Sequence, residues 1–581
     1  MTVMGHIFYN WLSKSAFATA LILLPLMHIS DASAGNEPLL SPSSESLQLG
    51  EQMYRNGILP SGEPIQAFVK GDLPVPGTAF SCVSCHLRGG LGSVEGGVFT
   101  PPTSGLQLFQ PFKILFKGLT QTFFPFPDRR PAYNDTTLAE VIRSGATPWG
   151  STLNDVMPRY LLEDNDMAVL ITYLKSLSAR FPPGISDTTI HFASIITEDV
   201  SKEERDSMLA PLQRYINIKN SQVNSYKSSL GKKSRQMAEN MMVSKELSTR
   251  KLTLSVWLLK GAQNTWHTQL EEYYRQEPVF ALLGGISRSG WRPIHQFSED
   301  NKIPCILPQT DFPVISDTDW YTLYPSKGYY QEGQAAARYL ISTQEGKTDK
   351  KVVQIVRNSI EGAALSAGFE QTLRERNQPP VVTVQLQVGE KITSGFLQQI
   401  IKKENTETII LWDDTDVLPA LESLSSITNK PKSVFVSARY LGDKLHKLPD
   451  NAREFTYITY PYSFAKAAVP SAMGGSILIE DESKTLVNLA QLPGHKPPET
   501  ARQTSETITQ LITMDLMEMR GNYYRDNFLD VLGMIPDQFS PTYARLSFGP
   551  GQRYASKGCY IVQLTRGESP MLVKKSAWVI H

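Results

Sequence analysis

Apolar runs of strand length recur through the C-terminal two thirds of the chain, and stretches with helical spacing separate most of them. The runs lie at 190–197, 252–259, 279–284, 303–307, 352–357, 381–388, 408–412, 433–437 and 456–460. Helical stretches include Thr265–Gln276 and Glu361–Arg376. Strands that alternate with helices predict parallel sheets covered by helices on both faces. We therefore expect a two-lobe α/β fold in this part of the chain.

The first 180 residues show a different pattern. An amphipathic stretch at Ser44–Asn56, a Pro- and Phe-rich loop at 96–130 and two later helical stretches predict one small, all-α domain. A Pro/Gly break follows at Phe181–Gly184. We place the domain boundary there, with one domain at 35–184 and another at 185–581, and expect two independently stable units.

The N-terminal residues have the features of an export signal. Lys14 precedes an apolar run from Ala16 to Met27, and Ala32-Ser33-Ala34 supplies the small residues that a signal peptidase needs. The run is too short to span a bilayer. We expect cleavage of a signal peptide at 1–34, a periplasmic location and no transmembrane span in the mature protein; an uncleaved anchor is the alternative.

Charge and cysteine content further narrow the classes of protein to which this chain could belong. Lys plus Arg equals Asp plus Glu at 57 each in 581 residues, so no overall field favours nucleic acid as a partner. The four cysteines are too few for a disulfide framework. Cys305 and Cys559 lie in apolar runs and are most simply buried core residues, although in an oxidising compartment they could pair.

The remaining cysteines form the motif Cys82-Val-Ser-Cys85-His86. Two thiols at this spacing can add across the vinyl groups of one haem, while the adjacent imidazole reaches the iron. A redox dithiol or half of a zinc site is the alternative, but a zinc site needs a second ligand pair that this chain lacks. The motif predicts one covalent haem c.

The sixth iron ligand must come from another residue type. His86 is the only histidine between Gly35 and Ser186, and the methionines there are Met53, Met157 and Met167. Met53 and Met167 have the helical spacing of core residues. Met157 stands in a loop before Pro158, so we predict its thioether as the axial ligand opposite His86.

Residues 44–180 resemble a class I cytochrome c. The helix before the CVSCH motif, the helix at Thr137–Gly145, the Met157-Pro158 loop and the final helix at Leu170–Leu177 occur in that family's order. The resemblance implies His86 and Met157 as axial ligands and electron transfer as the activity.

The region after 188 resembles the type I periplasmic binding proteins of the branched-chain amino acid class. The resemblance rests on the layout and on the segments Val279–Ser287, Ile303–Thr310 and Trp320–Gly328, with a second lobe opening at Lys351–Asn358. The segments 547–553 and 558–564 are similar to that family's closing hairpin, back in the first lobe. The resemblance implies a small-molecule ligand in the cleft between the lobes.

Candidate ligand-binding residues follow the C-terminal ends of predicted strands, where open α/β sheets bind ligands. They are Ser287, Ser289, Gln309, Thr310, Asp413, Asp414 and Asp416. Each could instead be a solvated turn residue. Because no Lys or Arg lies between Lys403 and Lys430, the three aspartates favour an amine-bearing ligand or a divalent metal.

No nucleophile elbow, phosphate loop, zinc-protease helix or dinucleotide fingerprint is found, which disfavours an enzyme. The leading hypothesis is a periplasmic electron carrier fused to a ligand-binding module. Its redox partner would be a periplasmic dehydrogenase or another cytochrome. The alternative is a solute-binding or sensing component of a transport system, with an appended cytochrome.

Overall fold

The computed structural model describes most of the chain after the N-terminus. The described residues are 43–69, 72–95, 98–113, 129–229, 250–344, 351–414, 416–464, 466–470, 476–480, 484–488, 497–535, 537–538, 540, 542–543, 546–549 and 551–580. The expected signal peptide at 1–34 lies outside them. Within these ranges, no helix combines the length and apolar character needed to cross a membrane.

The N-terminal region, residues 43–180, packs its helices around one hydrophobic core. The helices are α1 (Ser44–Asn56), α2 (Val83–His86), α3 (Gly105–Leu108), α4 (Asp135–Ser144) and α5 (Asp164–Ser176). Helix α4 begins at a capping box formed by Asn134 and Thr137 and ends at Gly145, whose φ is 77°. Local capping chemistry therefore fixes both ends of this helix.

The N-terminal region also contains strands, so the expectation of an all-α domain is wrong. Strands β1 (Gln66–Val69), β2 (Leu73–Pro76) and β7 (Arg159–Leu161) form an antiparallel sheet, and two further pairs are β3 (Ser93–Glu95) with β4 (Val98–Thr100) and β5 (Phe112–Lys113) with β6 (Arg129–Arg130). Strands of two to four residues are too short to leave a period-2 pattern in the sequence.

The first lobe begins with a parallel sheet. Its strands, in the order β12-β11-β10-β8-β9, are β8 (Thr189–Thr197), β9 (Lys251–Leu259), β10 (Ala281–Leu283), β11 (Cys305–Ile306) and β12 (Thr322–Leu323). The helices between them are α6 (Lys202–Ser229), α7 (Trp266–Gln276) and α8 (Arg292–Asp300). Every residue of β10 is buried, as a strand covered on both faces requires.

The second lobe repeats this architecture on a longer sheet. Its strands are β13 (Lys351–Arg357), β14 (Val382–Leu386), β15 (Thr406–Trp412), β16 (Ser433–Ser437), β17 (Thr456–Tyr460), the hairpin of β18 (Lys466–Pro470) and β19 (Ser476–Glu480), and β20 (Leu486–Asn488). Its helices are α9 (Tyr329–Gln344), α10 (Ile360–Glu375), α11 (Ser394–Glu404), α12 (Val417–Ser426) and α13 (Ala438–Leu441). Short 3-10 turns lie at Gln263–Thr265, Gly442–Lys447 and Asp450–Ala452. Each predicted apolar run contains an observed strand, which confirms the two-lobe α/β fold.

The next two helices lie on the first lobe, and the strands after them lie in the second lobe. Helices α14 (Pro497–Glu518) and α15 (Arg525–Met534) pack on the first-lobe core. Strands β21 (Gly558–Leu564), β22 (Met571–Lys574) and β23 (Val579–Ile580) follow. The segment before β21 does pack on the first lobe, since Phe548 lies in its core and the Tyr324 N–H donates to the Arg553 carbonyl at 2.7 Å. Because β21 pairs antiparallel with β17, the segment 558–564 belongs to the second lobe, and its expected place in the first lobe is wrong.

Helices α9 and α10 of the second lobe cross through reciprocal glycines. A Cβ at Gly333 would collide with the carbonyl oxygen of Leu365, and a Cβ at Gly368 would collide with that of Tyr330. The two backbones therefore approach at a distance that only glycine permits.

We expect Gly368→Ala to lower the free energy of unfolding by about 1–3 kcal/mol through overpacking. Gly395→Ala is the matched control, since no atom lies within 4 Å of its Cβ position in helix α11. Urea denaturation should show the control unchanged or slightly more stable. Equal stability of the two variants would contradict the close packing of these helices.

Candidate functional site

A cavity of about 350 Å³ lies beside helix α2 in the N-terminal region. Cys82, Cys85, His86 and Met157 all line it, although Met157 is 71 positions from His86 in sequence. Most of its other lining residues are apolar or aromatic, including Leu108, Leu138, Val141, Ile142, Leu170 and Leu174. The structure thus brings the four residues predicted from the CxxCH motif and the methionine loop to one apolar cavity.

His86 is held in a defined orientation. Its Nδ1 lies 2.8 Å from the carbonyl oxygen of Pro101, so Nδ1 carries the proton and donates it, and Nε2 keeps its lone pair. Burial lowers the pKa of His86 to about 4, which keeps the imidazole neutral. A neutral imidazole with one nitrogen anchored to a backbone carbonyl is the form that binds a metal.

Met157 is positioned by a closed loop. The Leu153 N–H donates to the Gly145 carbonyl at 2.9 Å, and the Met157 N–H donates to the Asn154 carbonyl at 3.0 Å. The Asn154 side chain also accepts from the Val156 N–H at 2.9 Å. These bonds fix the backbone that carries the thioether, whereas Met53 and Met167 lie in the hydrophobic core.

The N-terminal region contacts the first lobe through Asp526 on helix α15. Arg55 Nη2 donates to Asp526 Oδ2 at 2.6 Å, and the Tyr321 hydroxyl donates to Oδ1 at 2.9 Å. Arg88 Nε lies 3.5 Å from Oδ1, and its guanidinium carbon lies 4.0 Å from the centre of the Trp320 ring. The Asp526 side chain is only 19% exposed, so this is a largely buried ion-pair network.

The loop that follows the CxxCH motif is part of the same contact. The Gly89 N–H donates to Asp530 Oδ2 at 2.8 Å, and the Gly89 carbonyl accepts from the Ser178 hydroxyl at 2.7 Å. Burial raises the pKa of Asp530 to about 7. Backbone atoms of Asn527 lie 3.2–3.3 Å from the position of a Cβ at Gly89, so the two backbones approach closely.

The Pro/Gly linker is packed onto the first lobe. Gly184 has a φ of 92°, and a Cβ there would collide with the backbone of Val279 and Phe280. The ring centres of Phe181 and Tyr524 are 5.5 Å apart. The boundary at 184 stays a prediction, but the linker is not a free tether, and the region before it packs against the lobe after it.

This contact lies at one edge of the first-lobe sheet. Phe280, Lys302 and Tyr321 precede strands β10, β11 and β12, and all three contact residues of this interface. Ser287 and Gln309 follow the C-terminal ends of β10 and β11. The described contacts of the N-terminal region with the first lobe therefore lie at the N-terminal edge of the sheet, whereas the candidate ligand residues lie at its C-terminal edge.

The first-lobe candidates separate into two pairs. Ser287 and Gln309 are neighbours, because the Ser287 N–H donates to the Gln309 carbonyl at 3.4 Å, and neither Ser287 Oγ nor Gln309 Oε1 has a hydrogen-bond partner. Ser289 donates to Asp199 Oδ2, and Thr310 Oγ1 accepts from the Phe312 N–H at 3.1 Å. Ser289 and Thr310 therefore have structural partners already.

The three aspartates of the second lobe are neutralised by distant cations, so the expectation of uncompensated charge is wrong. Arg357 Nε donates to Asp413 Oδ2 at 3.1 Å, and its Nη2 lies 3.4 Å from Asp416 Oδ2. Lys444 donates to the Asp414 carbonyl, and its Nζ is 4.0 Å from Asp414 Oδ2. Arg357 lies 56 positions before Asp413, outside the sequence window that was considered.

These carboxylates also have local structural roles. Asp416 is the N-cap of helix α12 and accepts from the Ile392 N–H at 3.2 Å. Among the described residues, no group of three or more His, Cys, Asp or Glu side chains could hold a metal ion. An amine-bearing ligand or a divalent metal was expected at this loop because the three aspartates lacked nearby cations, and the ion pairs with Arg357 and Lys444 remove that reason. A contact of these aspartates with some other ligand stays a prediction.

Sequence reasoning missed a second cluster at the facing edges of the lobes. Arg439, in helix α13, forms an ion pair with Asp311 of the first lobe, and its Nε lies 3.5 Å from Glu332 Oε1. Glu332 is fully buried and accepts from Ser437 and Thr459, each at 2.8 Å. Arg439 lies two residues after the apolar run 433–437, so its position just past the C-terminal end of a predicted strand was the signal that could have identified it.

Cys305 and Cys559 are both buried and are not joined by a disulfide. Cys305 packs in the first-lobe core and Cys559 in the second-lobe core. They therefore occupy separate cores, as small apolar side chains.

Part of the chain matches a known protein family. Residues 249–472 match the family model of the periplasmic binding proteins. The matched segment begins in front of strand β9 and extends past the β18 strand of the second lobe. It covers less than half of the chain and contains the crossing between the lobes. No curated protein matches the chain.

Solved structures with similarity to this chain include solute-binding proteins. A branched-chain amino acid ABC transporter protein from Thermus thermophilus with bound valine has 12% identity, covers 68% of this chain and 97% of its own, and gives a TM-score of 0.42. An ABC transporter substrate-binding protein from Sphaerobacter thermophilus has 11% identity, corresponding coverages of 68% and 98%, and a TM-score of 0.45. A solute-binding protein from Rhodopseudomonas palustris BisB5 in complex with 3,4-dihydroxybenzoic acid has 14% identity, coverages of 68% and 97%, and a TM-score of 0.41. Similarity at these scores does not by itself assign a ligand.

We expect Asp526→Asn to lower the free energy of unfolding by about 3 kcal/mol, because Arg55 and Arg88 would lose a largely buried counter-ion. Asp187→Asn, at an exposed carboxylate, should be neutral. Chemical denaturation of the full chain measures both variants. A neutral effect of Asp526→Asn would contradict the proposed energetic importance of this network.

The same network predicts a dependence on pH. Burial alone would raise the pKa of Asp526, but Arg55 and Arg88 outweigh it, and the folded-state pKa lies below the ordinary value. Its contribution is complete above the unfolded-state pKa of about 3.9 and is lost as the pH falls through the folded-state pKa. The difference between wild type and Asp526→Asn should therefore shrink below about pH 4.

Proposed function

We propose that this protein is an extracytoplasmic solute-binding protein whose N-terminal domain carries one covalently bound haem c. The match of residues 249–472 to the periplasmic binding proteins carries the first half of the proposal. In such a two-lobe fold, the ligand binds between the C-terminal edges of the two sheets. The described contacts between the N-terminal region and the first lobe lie at the opposite edge of the sheet.

The second half rests on the cavity beside helix α2. Two thiols, a neutral imidazole with a free Nε2 lone pair and a thioether line one apolar cavity, as a haem c requires. Trp149 also lines it, and its buried Nε1 has no hydrogen-bond partner. An unpartnered N–H at such a cavity fits the carboxylate of a haem propionate. The residues present therefore fit this group.

Each residue has a distinct task in that site. Cys82 and Cys85 would attach the haem, and His86 Nε2 and the Met157 sulfur would be its axial ligands. A bound haem c supplies one-electron redox chemistry. Pro101 holds the imidazole in place through its carbonyl, and the mostly apolar lining would favour the less charged ferrous form of a bound haem.

In this proposal, one protein of a transport or sensing system both binds a solute and transfers electrons. The haem would exchange electrons with a periplasmic dehydrogenase or with another cytochrome. The described contacts of the N-terminal region lie at the first lobe's N-terminal edge, so the ligand would enter the cleft from the opposite edge without displacing these contacts. Export through the signal peptide at 1–34 would place the protein in the periplasm.

We expect protein produced with a haem-maturation system to retain haem after acid-acetone extraction. The oxidised protein should show the near-infrared band of a sulfur-iron bond, and Met157→Ala should abolish it. Met53→Leu and Met167→Leu are matched controls, because both methionines are buried in the core and not on the loop. Persistence of the band in folded Met157→Ala protein would assign the ligand elsewhere, and loss of haem on extraction would exclude covalent attachment.

The solute-binding half is tested by thermal shift of the full chain against amino acids, carboxylates, amides, amines and sugars. A ligand at 100 times its Kd should add about 2.7 kcal/mol to the free energy of unfolding. Hydrogen exchange should then slow at 285–289 and 437–442, where the strands end. Absence of any shift, or protection confined to the N-terminal region, would contradict ligand binding in the cleft.

A further inference from the structure

The guanidinium of Arg439 has hydrogen-bonding capacity that the protein leaves unused. Its side chain is 11% exposed, yet Nη2 has no hydrogen-bond partner among the described residues, and Nε only approaches Glu332 at 3.5 Å. Arginine is always charged and offers five N–H donors. A buried cationic donor without a partner is costly, so its presence at the edge of the lobe points to a missing acceptor.

Aromatic rings surround this cation. The guanidinium carbon lies 5.7 Å from the ring centre of Tyr329 and 5.6 Å from that of Tyr462. Tyr440 and Phe312 pack against Tyr329, with ring centres 5.8 and 5.6 Å apart. Rings of this kind hold the guanidinium plane and exclude water, which strengthens its attraction to an anion.

The first lobe contributes the facing side. Asp311, which contacts Arg439, follows Gln309 by two residues, and Gln309 adjoins Ser287. The Ser287 hydroxyl is buried and also lacks a partner. Unused polar groups therefore occur on both lobes, in segments that the Asp311–Arg439 contact brings together.

Asp311 is the anion of this cluster that a ligand could replace. Glu332 Oε2 accepts from Ser437 and Thr459, and its Oε1 lies 3.5 Å from Arg439 Nε, so the ion pair with Glu332 is longer than the one that Arg439 makes with Asp311. Asp311 is then the main counter-ion, and its side chain is 38% exposed. A half-exposed carboxylate on a loop can be exchanged for a ligand carboxylate, with the displaced Asp311 returning to solvent.

We propose that the cleft binds a small ligand with a carboxylate, which takes the place of Asp311 on Arg439 while its apolar body lies against Tyr329 and Tyr462. This inference rests on the proposed solute-binding function and names its ligand class. An ammonium group would be repelled by Arg439, whose own contacts occupy Asp311 and Glu332, and Asp413 and Asp416 of the same lobe are paired with Arg357.

The test measures binding of matched compounds to the full chain by titration calorimetry and thermal shift. The probes are benzoate, benzamide and benzylamine, and isovalerate, isovaleramide and isoamylamine. Only the two carboxylates should bind and raise Tm. Arg439→Gln should weaken their binding at least about tenfold, and Arg439→Lys should restore it in part, because lysine keeps the charge without the planar fork.

Asp311→Asn provides the second variant and does not depend on Arg439→Gln folding. Removing the competing carboxylate should tighten binding of benzoate or isovalerate. Arg374→Gln, at an arginine whose side chain is 63% exposed in the same lobe, should leave binding unchanged. Undiminished carboxylate binding by folded Arg439→Gln, or weaker binding by Asp311→Asn, would overturn the proposal.

The outcomes also separate this inference from the proposed function. If the amides or amines bind in the cleft and the carboxylates do not, the ligand class is wrong and solute binding stands. If no compound in this set or in the wider screen binds, both proposals fail together.

Discussion

The arrangement of the molecule depends on one carboxylate, that of Asp526. It receives Arg55 from helix α1, Arg88 from the loop after the CxxCH motif and the Tyr321 hydroxyl from the first lobe. Two cations around one largely buried anion are stable only when all three stay together, because separation leaves an unpaired charge in a poorly solvated place. This constraint joins the N-terminal region to helix α15 and sets its position on the first lobe.

The contact also constrains the loop that follows the CxxCH motif. Arg88 and Gly89 follow His86 directly, and the Gly89 N–H is held by Asp530, one helical turn after Asp526 on the same face of α15. Side chains four residues apart on a helix lie on one face, so a single helix can fix consecutive groups of the loop. The cavity beside α2 is therefore built partly from contacts within its own region and partly from a helix of the neighbouring lobe.

The sequence patterns predicted the features that depend on residues close together in the chain. The apolar runs located the strands of both lobes, because strands buried on both faces leave a continuous signal. The CxxCH motif and the lone loop methionine identified residues that line one cavity. The missed features were the short strands around the methionine loop and the ion pairs Arg357–Asp413 and Arg55–Asp526, whose members lie 56 and 471 positions apart. The charges along one loop do not include a cation that another strand supplies. For this reason, the absence of Lys and Arg near Asp413 in the sequence wrongly suggested that its charge is uncompensated.

Parallel sheets give their two edges different chemistry, and this chain uses both edges of the first lobe. Arg525 donates to the carbonyls of Val279 and Phe280 just before β10, where the N-terminal region docks. Ser287 and Gln309 stand beyond the opposite ends of β10 and β11, near Asp311 and the second lobe. A ligand that exchanges with Asp311 would change the contact between the lobes without breaking the Asp526 network, since the two lie at opposite edges of one sheet.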